Sequence, residues 1–363
     1  MLFEDVLEIK NGRNQRAVEN PNGVYPIYGS GGIMGYADDF ICQAQTVVIG
    51  RKGNINKPLF VEVPFWNVDT AFGLEAKRSV LLPKYLYYFC VHYDFEKLNK
   101  TVTIPSLTKA DLLKIKIELP KLSEQEDIVS RLESIERVMA IRHHQLFVLD
   151  SLIKARFVEM FGDPIINDRG WKQITLLESL EEGRTVTYGI VQTGDEFEDG
   201  TPVFRPIDIA GGHVPKREEL KKTDPLISAQ YKRTLLKGNE LLITVRGSVG
   251  ETFQITEEFE GCNVGRNIVP LVTDSNKILQ RFLQELFAQD AIKTWLKGIT
   301  KGIALQGLNM GEFKEMPVIM PPIAKQRTFV ELALQIDKSK SAVQQSLNES
   351  QLLFDSLMQK YFG

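Results

Sequence analysis

The chain carries the same segment twice, at a constant offset of 201 residues and with no gap. Ile104 to Gly162 falls on Leu305 to Gly363, with Leu107 on Leu308, Pro120 on Pro321, Gln125 on Gln326 and Phe161-Gly162 on Phe362-Gly363. Register held over such a length implies a stiff element of fixed size, because loops accumulate insertions and deletions. Each copy has a strand-like stretch, Ile115-Lys-Ile-Glu-Leu-Pro120 or Met316-Pro-Val-Ile-Met-Pro-Pro322, followed by a long helical pattern. Apolar residues then recur at steps of four and three: Ile128, Leu132, Ile135, Met139, Leu146, Leu149, Ile153 and Met160. The second copy gives Phe329, Ala333, Ile336, Val343, Leu347, Phe354, Leu357 and Tyr361. A heptad seam sustained for about five heptads is the mark of a coiled coil. Arg142 and Arg156 interrupt the first seam, Lys340 and Ser350 the second. Ser123 with Glu126 reads as a capping box, and Gly162 and Gly363 as glycine stops. Each helix should span about 37 residues, or roughly 55 Å.

The segments before the helices read differently. Residues 1–118 and 163–318 hold short β-rich runs, many glycines and turn signals, with helices expected at Pro83 to Tyr93 and Lys277 to Leu296. They are distantly alike. Phe3, Val6, Ile9 and Gly12 align with Ile174, Leu177, Leu180 and Gly183. Val47-Val-Ile-Gly-Arg-Lys-Gly-Asn54 echoes Leu241-Leu-Ile-Thr-Val-Arg-Gly-Ser248, a buried strand breaking at a basic residue, a glycine and a small polar residue. The expected fold is mixed α/β: globular domain 1–118, spacer helix 119–162, globular domain 163–318, spacer helix 319–363.

Bulk properties narrow the class. No apolar run approaches the roughly 18 residues of a membrane span. The N-terminal Met1-Leu-Phe-Glu-Asp is acidic where a signal peptide is basic, and Cys42, Cys90 and Cys262 form neither a metal spacing nor a disulfide framework. Both point to a cytoplasmic protein. The net charge of −3 excludes an unstructured polycation but not a locally basic DNA-binding face.

This order of modules and helices, with Leu119-Pro-Lys-Leu-Ser-Glu-Gln125 opening the first helix, resembles the specificity (S, or HsdS) subunits of type I restriction–modification systems, over essentially the whole chain. Tyr25-Pro-Ile-Tyr-Gly-Ser-Gly-Gly-Ile, Tyr188-Gly-Ile-Val-Gln and Pro202-Val-Phe-Arg-Pro-Ile-Asp-Ile look like stretches of that family's target recognition domains. The resemblance implies two recognition domains held by antiparallel helices in a pseudo-two-fold repeat, each domain reading half of an asymmetric bipartite DNA target. It also implies two methyltransferase (M) subunits that use S-adenosylmethionine on adenine N6, and two restriction (R) subunits that bring ATP and magnesium. The chain itself would bind no cofactor and no metal and would not be an enzyme. The second helix departs from the pattern, with Lys325 where the first has Glu124, no N-cap side chain, and its end at Gly363.

For DNA contact the leading candidates lie on turns: Arg51, Lys52, Asn54 and Lys57 in the first domain, Arg246, Ser248, Arg266 and Asn267 in the second, then Tyr28, Tyr188, Gln192 and Arg205. Arginine can pair bidentately with guanine and asparagine with adenine, whereas lysine more often neutralises phosphate. Motifs for other chemistry read as structure. Gly29-Ser-Gly-Gly-Ile-Met-Gly35 lacks the spacing of a dinucleotide loop, Asp69 with Glu75-Ala-Lys77 imitates a nuclease set, and His143-His144 points two ways on a helix. Two other readings stand beside the first: the S-like subunit of a combined restriction–methylation enzyme, and a coiled-coil scaffold whose end domains bind proteins.

Overall fold

The computed structural model describes residues 1–101, 103–210, 215–301 and 307–363. Leu305, where the second repeat begins, lies outside them. The chain divides into two compact units, Met1–His144 with Val343–Gly363, and Gln145–Ala342. The boundaries differ from the module-and-helix division of the sequence, because each long helix gives one stretch to each unit.

In the first unit, helix α1 (Phe3–Val6) leads into β1 (Leu7–Asn11), and β2 (Tyr25–Gly29) and β3 (Gly32–Ala37) form a hairpin. The glycine-rich segment is that hairpin's turn. Strands β4 (Thr46–Gly50), β5 (Leu59–Val61), β6 (Trp66–Asn67) and β7 (Ala71–Ala76) complete two sheets, ordered β1-β7-β4-β5 and β3-β2-β6. Strand β4 is buried along its whole length, as its unbroken apolar run requires. Helix α2 (Pro83–His92) covers the larger sheet, α3 (Lys109–Leu112) is capped by Thr108, and α4 (Leu122–Phe161) is the first long helix.

The second unit repeats this plan. It holds β8 (Gln173–Thr175), β9 (Thr201–Phe204), α5 (Pro206–Ile209), β10 (Lys221–Thr223), α6 (Pro225–Ala229), β11 (Leu241–Thr244), β12 (Thr252–Gln254), β13 (Asn263–Val264) and β14 (Ile268–Leu271). Helices α7 (Gln280–Phe287) and α8 (Asp290–Gly298), strands β15 (Thr300–Lys301) and β16 (Gly307–Leu308), helix α9 (Met310–Lys314) and β17 (Pro317–Ile319) precede the second long helix α10 (Ile323–Phe362). Its sheets β12-β11-β14 and β10-β9-β13 match β5-β4-β7 and β3-β2-β6 of the first unit, and among the described residues no named strand stands beside β14 as β1 does beside β7. Central strand β11 pairs with β14 as β4 pairs with β7, and β9 runs parallel to β13 as β2 does to β6. The single helix expected over Lys277 to Leu296 is two helices, α7 and α8.

Backbone hydrogen bonds fix how the two units correspond, and they correct the alignment of the first residues. Phe3 N donates to Ile115 O and Leu176 N to Met316 O, so Phe3 stands for Leu176, two positions beyond Ile174. Gly12 likewise corresponds to Gly189, not Gly183. A Cβ at either would fall within 2 Å of a carbonyl oxygen, that of Val68 or of Val264. Apolar spacing favoured the slip because it sets Leu177 against Val6, whereas the bonded register sets the buried polar Ser179 there and leaves Leu177 exposed.

Each long helix has 40 residues, or about 60 Å at 1.5 Å per residue. Burial along the long helices falls as follows. In the first unit Leu132 is buried with Met358 and Tyr88, while Ile128, Phe354 and Leu357 pack against them. In the second unit Ile153 joins Phe329, Ala333 and Ile336 in one core, with Leu149 and Met160 packed on it. There the helices run antiparallel, since Asp150 pairs with Lys340 and Phe161 packs edge-to-face on Phe329. Ile135, Met139, Leu146 and Val343 are half-buried, and Leu347 is buried.

Two details differ from the sequence reading. Phe157 and Met358, themselves 201 residues apart, take the buried place one residue after Arg156 and Leu357, because a straight helix drifts ahead of a strict heptad. Arg156 is therefore not a seam residue; it pairs with Glu159 at the surface. Ser123 lies inside the first turn of α4 and caps nothing, since the helix begins at Leu122. Gly162 does stop α4, with φ of 75°.

Candidate nucleic-acid interface

The motif Leu-Pro-x-Leu-x-x-Gln owes its glutamine to a buried polar knot. Gln125 Oε1 accepts from Leu82 N at 2.8 Å, and its Nε2 donates to Val80 O and Pro120 O, both at 2.9 Å. In the second unit Gln326 accepts from Leu279 N at 2.9 Å and donates to Lys277 O and Pro321 O at 2.9 and 2.8 Å. Both side chains are fully buried. Each satisfies an amide at the start of α2 or α7 and so fastens the recognition sheet's covering helix to the root of a long helix.

From that frame the central strand of each unit delivers one turn to the surface in the same way. In the first unit Arg51 N donates to Thr70 O at 2.8 Å, Leu107 N donates to Arg51 O at 2.9 Å, and Lys52 bridges Ser106. In the second, Val245 N donates to Asn267 O at 2.8 Å, Leu308 N donates to Val245 O at 2.9 Å, and Arg246 bridges Gly307. The next residues, Gly53 and Gly247, have φ of 79° and 78°, a left-handed backbone that favours glycine. Lys52 and Arg246 are thus equivalent, as are Asn54 and Ser248, and all four are exposed. Ser30-Gly31 of the β2–β3 hairpin lies against this turn: a Cβ on Gly31 would stand 3.8 Å from Asn54 Nδ2. Nothing in the sequence links those two segments.

The other candidates divide by what their side chains do. Lys57, Arg266, Tyr188 and Gln192 are exposed, and among the described residues their side chains form no hydrogen bond or ion pair. Arg51 is exposed beside the Phe72 ring, 5.7 Å from its centroid. Asn267 is half-buried with its Oδ1 unpartnered, and its carbonyl holds the Arg246 turn in place. Arg205 is gripped by Asp208, whose oxygens accept from Nη2 at 2.9 Å and Nε at 3.2 Å. Tyr28 packs its ring edge-on against Phe65 at 5.3 Å, and burial raises its hydroxyl pKa. These last two are held by the protein's own interior.

Groups that imitated catalysis are committed elsewhere. Lys77 Nζ donates to the carbonyls of Glu4 and Asp5, and Glu75 accepts from Gln43 N. Burial pushes the thiols of Cys42 and Cys90 well up and that of Cys262 to about 11, which suppresses the nucleophilic thiolate. Among the described residues no group of three or more His, Cys, Asp or Glu could hold a metal ion. No helix among them is long and apolar enough to cross a membrane.

The family profile for the type I restriction modification DNA specificity domain matches residues 3–149 and 183–350, one stretch for each copy of the fold. The chain belongs to that family. Its relatives include the EcoBI specificity subunit of Escherichia coli, 23% identical over 340 residues that cover 87% of this chain and 71% of the relative. The S subunit of a type I restriction–modification system from M. genitalium superposes with a TM-score of 0.58 at 18% identity, covering 100% of this chain and 95% of that one. A chain from a study of complex assembly and conformational transition of the type I system gives 0.58 at 17% identity, covering 100% and 96%. These structures share the fold. The chain is a DNA-specificity subunit of a type I restriction–modification complex, and the equivalent basic turns are its candidate reading elements.

Proposed function

We propose that each unit reads one half of an asymmetric, bipartite duplex target. The observation that carries this reading is the repeated turn, with Lys52 and Arg246 projected from equivalent strands by the same hydrogen bonds while the residues around them differ. Equivalent frames with unlike side chains suit two half-sites of unlike sequence. Arg246, with Ser248 two residues on and Arg266 next to Asn267, whose carbonyl accepts from Val245 N, offers base-edge donors to one half-site; Asn54, with Arg51, Lys52 and Lys57 for phosphate and base contact, serves the other. The long helices receive two methyltransferase subunits, which methylate adenine N6 with S-adenosylmethionine, and two restriction subunits join with ATP and magnesium. The chain contributes recognition and no catalysis, and it works in the cytoplasm.

Arg246→Ala is expected to cost about 1–3 kcal/mol of target binding and to relax selectivity at one base pair of one half-site. Competition binding with singly substituted duplexes measures it, and unchanged affinity with unchanged selectivity removes Arg246 from the interface. The wider reading is tested by mapping N6-methyladenine across the host genome with and without the gene. Deletion should abolish one bipartite methylated motif, and a methylome left intact refutes the reading.

A further inference from the structure

In the second unit the segment between β10 and β11 is far longer than its counterpart between β3 and β4, and it builds a feature the first unit's short connection has no length to form. Residues Tyr231 to Thr234 form a turn beside a cleft of about 720 Å³. Lys232, Arg233 and Lys314 line it, no acidic residue does, and Tyr188 and Tyr231 contribute aromatic rings. Among the described residues none of those three cations has an ion-pair partner, in a chain whose net charge is −3. On the far side of the turn Glu181 is paired with Arg184, and Glu182 lines the same side without forming an ion pair to Lys232 or Arg233.

The turn is held rigidly from below. Asn263 is fully buried, and its Nδ2 donates to Ser228 Oγ at 3.0 Å and to the carbonyls of Tyr231 and Ser228. Its Oδ1 accepts from Thr234 Oγ1 at 2.7 Å and from Val264 N at 2.9 Å. A buried side chain with its polar atoms satisfied fixes the backbone from which the two cations project, so less ordering entropy is lost in the turn when they engage an anion. The cleft's other walls adjoin the segments that carry Arg246 and Arg266. Ile190, two residues after Tyr188, accepts from Arg266 N, and Met310 and Lys314 follow directly from the strand that Arg246 bridges.

We infer that this cleft is a phosphate clamp, in which Lys232, Arg233 and Lys314 grip the sugar–phosphate backbone of the duplex beside the half-site read by the second unit. The inference rests on the proposed reading of duplex DNA by that unit. The clamp adds affinity without sequence information and orients Arg246 and Arg266 over the bases.

The test compares the full chain, assembled with its methyltransferase subunits, with K232A/R233A and, separately, K314A. Binding to a target duplex and to a scrambled duplex is measured across a salt series. The slope of log K against log salt should fall by about 2 for the double variant and about 1 for Lys314→Ala, with equal loss on both duplexes. Circular dichroism and the thermal midpoint confirm that the exposed variants remain folded. Unchanged slopes overturn the clamp while wild-type binding keeps the wider reading intact. A loss confined to the target duplex overturns it too, because the residues would then read bases. Inorganic phosphate that competes with wild type at low millimolar concentration would identify a free-anion pocket instead. Absence of any salt-dependent duplex binding by wild type sinks both the clamp and the reading beneath it.

Discussion

Phe161→Ala is expected to destabilise the second unit by about 4 kcal/mol, the upper part of the range for deleting a buried aromatic ring. Phe161 is fully buried at the end of α4, with the rings of Phe282, Phe157 and Phe329 at 5.0, 5.2 and 5.5 Å and Trp171 at 6.4 Å. Those rings belong to both long helices, to α7 and to the segment before β8, so the hole cannot close by moving one element. The Phe161 carbonyl also accepts from Trp171 Nε1 at 2.9 Å, which ties the chain's exit from α4 to the same cluster. Edge-to-face geometry adds to the loss beyond area alone. Urea denaturation of wild type, Phe161→Ala and Phe161→Leu gives the measurement, with leucine expected to recover more than half the loss. A shift below 1 kcal/mol for alanine would show that the cluster does not hold the recognition sheet to the helices.

Gln326→Leu should cost nearly as much, about 3–5 kcal/mol, although it keeps the volume of the side chain. The substitution leaves the Leu279 amide and the Lys277 and Pro321 carbonyls without their partner in a fully buried place. Each orphaned group costs about 1–3 kcal/mol, and leucine returns only part of this through apolar burial. The loss should appear as faster amide exchange at Leu279 and at the first residues of α7, alongside a lower denaturation midpoint. Gln125→Leu should produce the same pattern at Leu82 and α2. If exchange at Leu279 stays protected, the glutamine does not cap that helix.

Much of this was legible from residues alone. The heptad seam, the glycine at position 162, the equivalence of Val47–Asn54 with Leu241–Ser248 and the structural nature of the glycine-rich segment are all written in local pattern, where side-chain period and backbone preference act within a few residues. The glutamine was visible as a repeated letter, but its purpose was not, because two of its three partners in each unit lie more than forty residues away in sequence. The register of the N-terminal segments was misread for a related reason. The apolar letters favour the slipped register, since the other sets Ser179 against Val6, and only the hydrogen bonds to Ile115 and Met316 reveal the correspondence.

Among the candidate contacts, the sequence could identify residue types that bond bases or phosphates but not which side chains the protein had already spent. Arg205 reads as a base contact until Asp208 is found across a salt bridge, and Tyr28 until its ring is found against Phe65. Nothing in the local pattern marks Lys232 and Arg233, and the turn that carries them is set by Asn263 beneath it. The sequence by itself determined the repeat, the helices and their apolar faces, since these follow from periodicities that a single element carries. Tertiary structure decided which strand meets which, how α2 and α7 are fastened to the long helices, and which cations remain free, because those outcomes depend on hydrogen bonds and burial between residues that sequence places far apart.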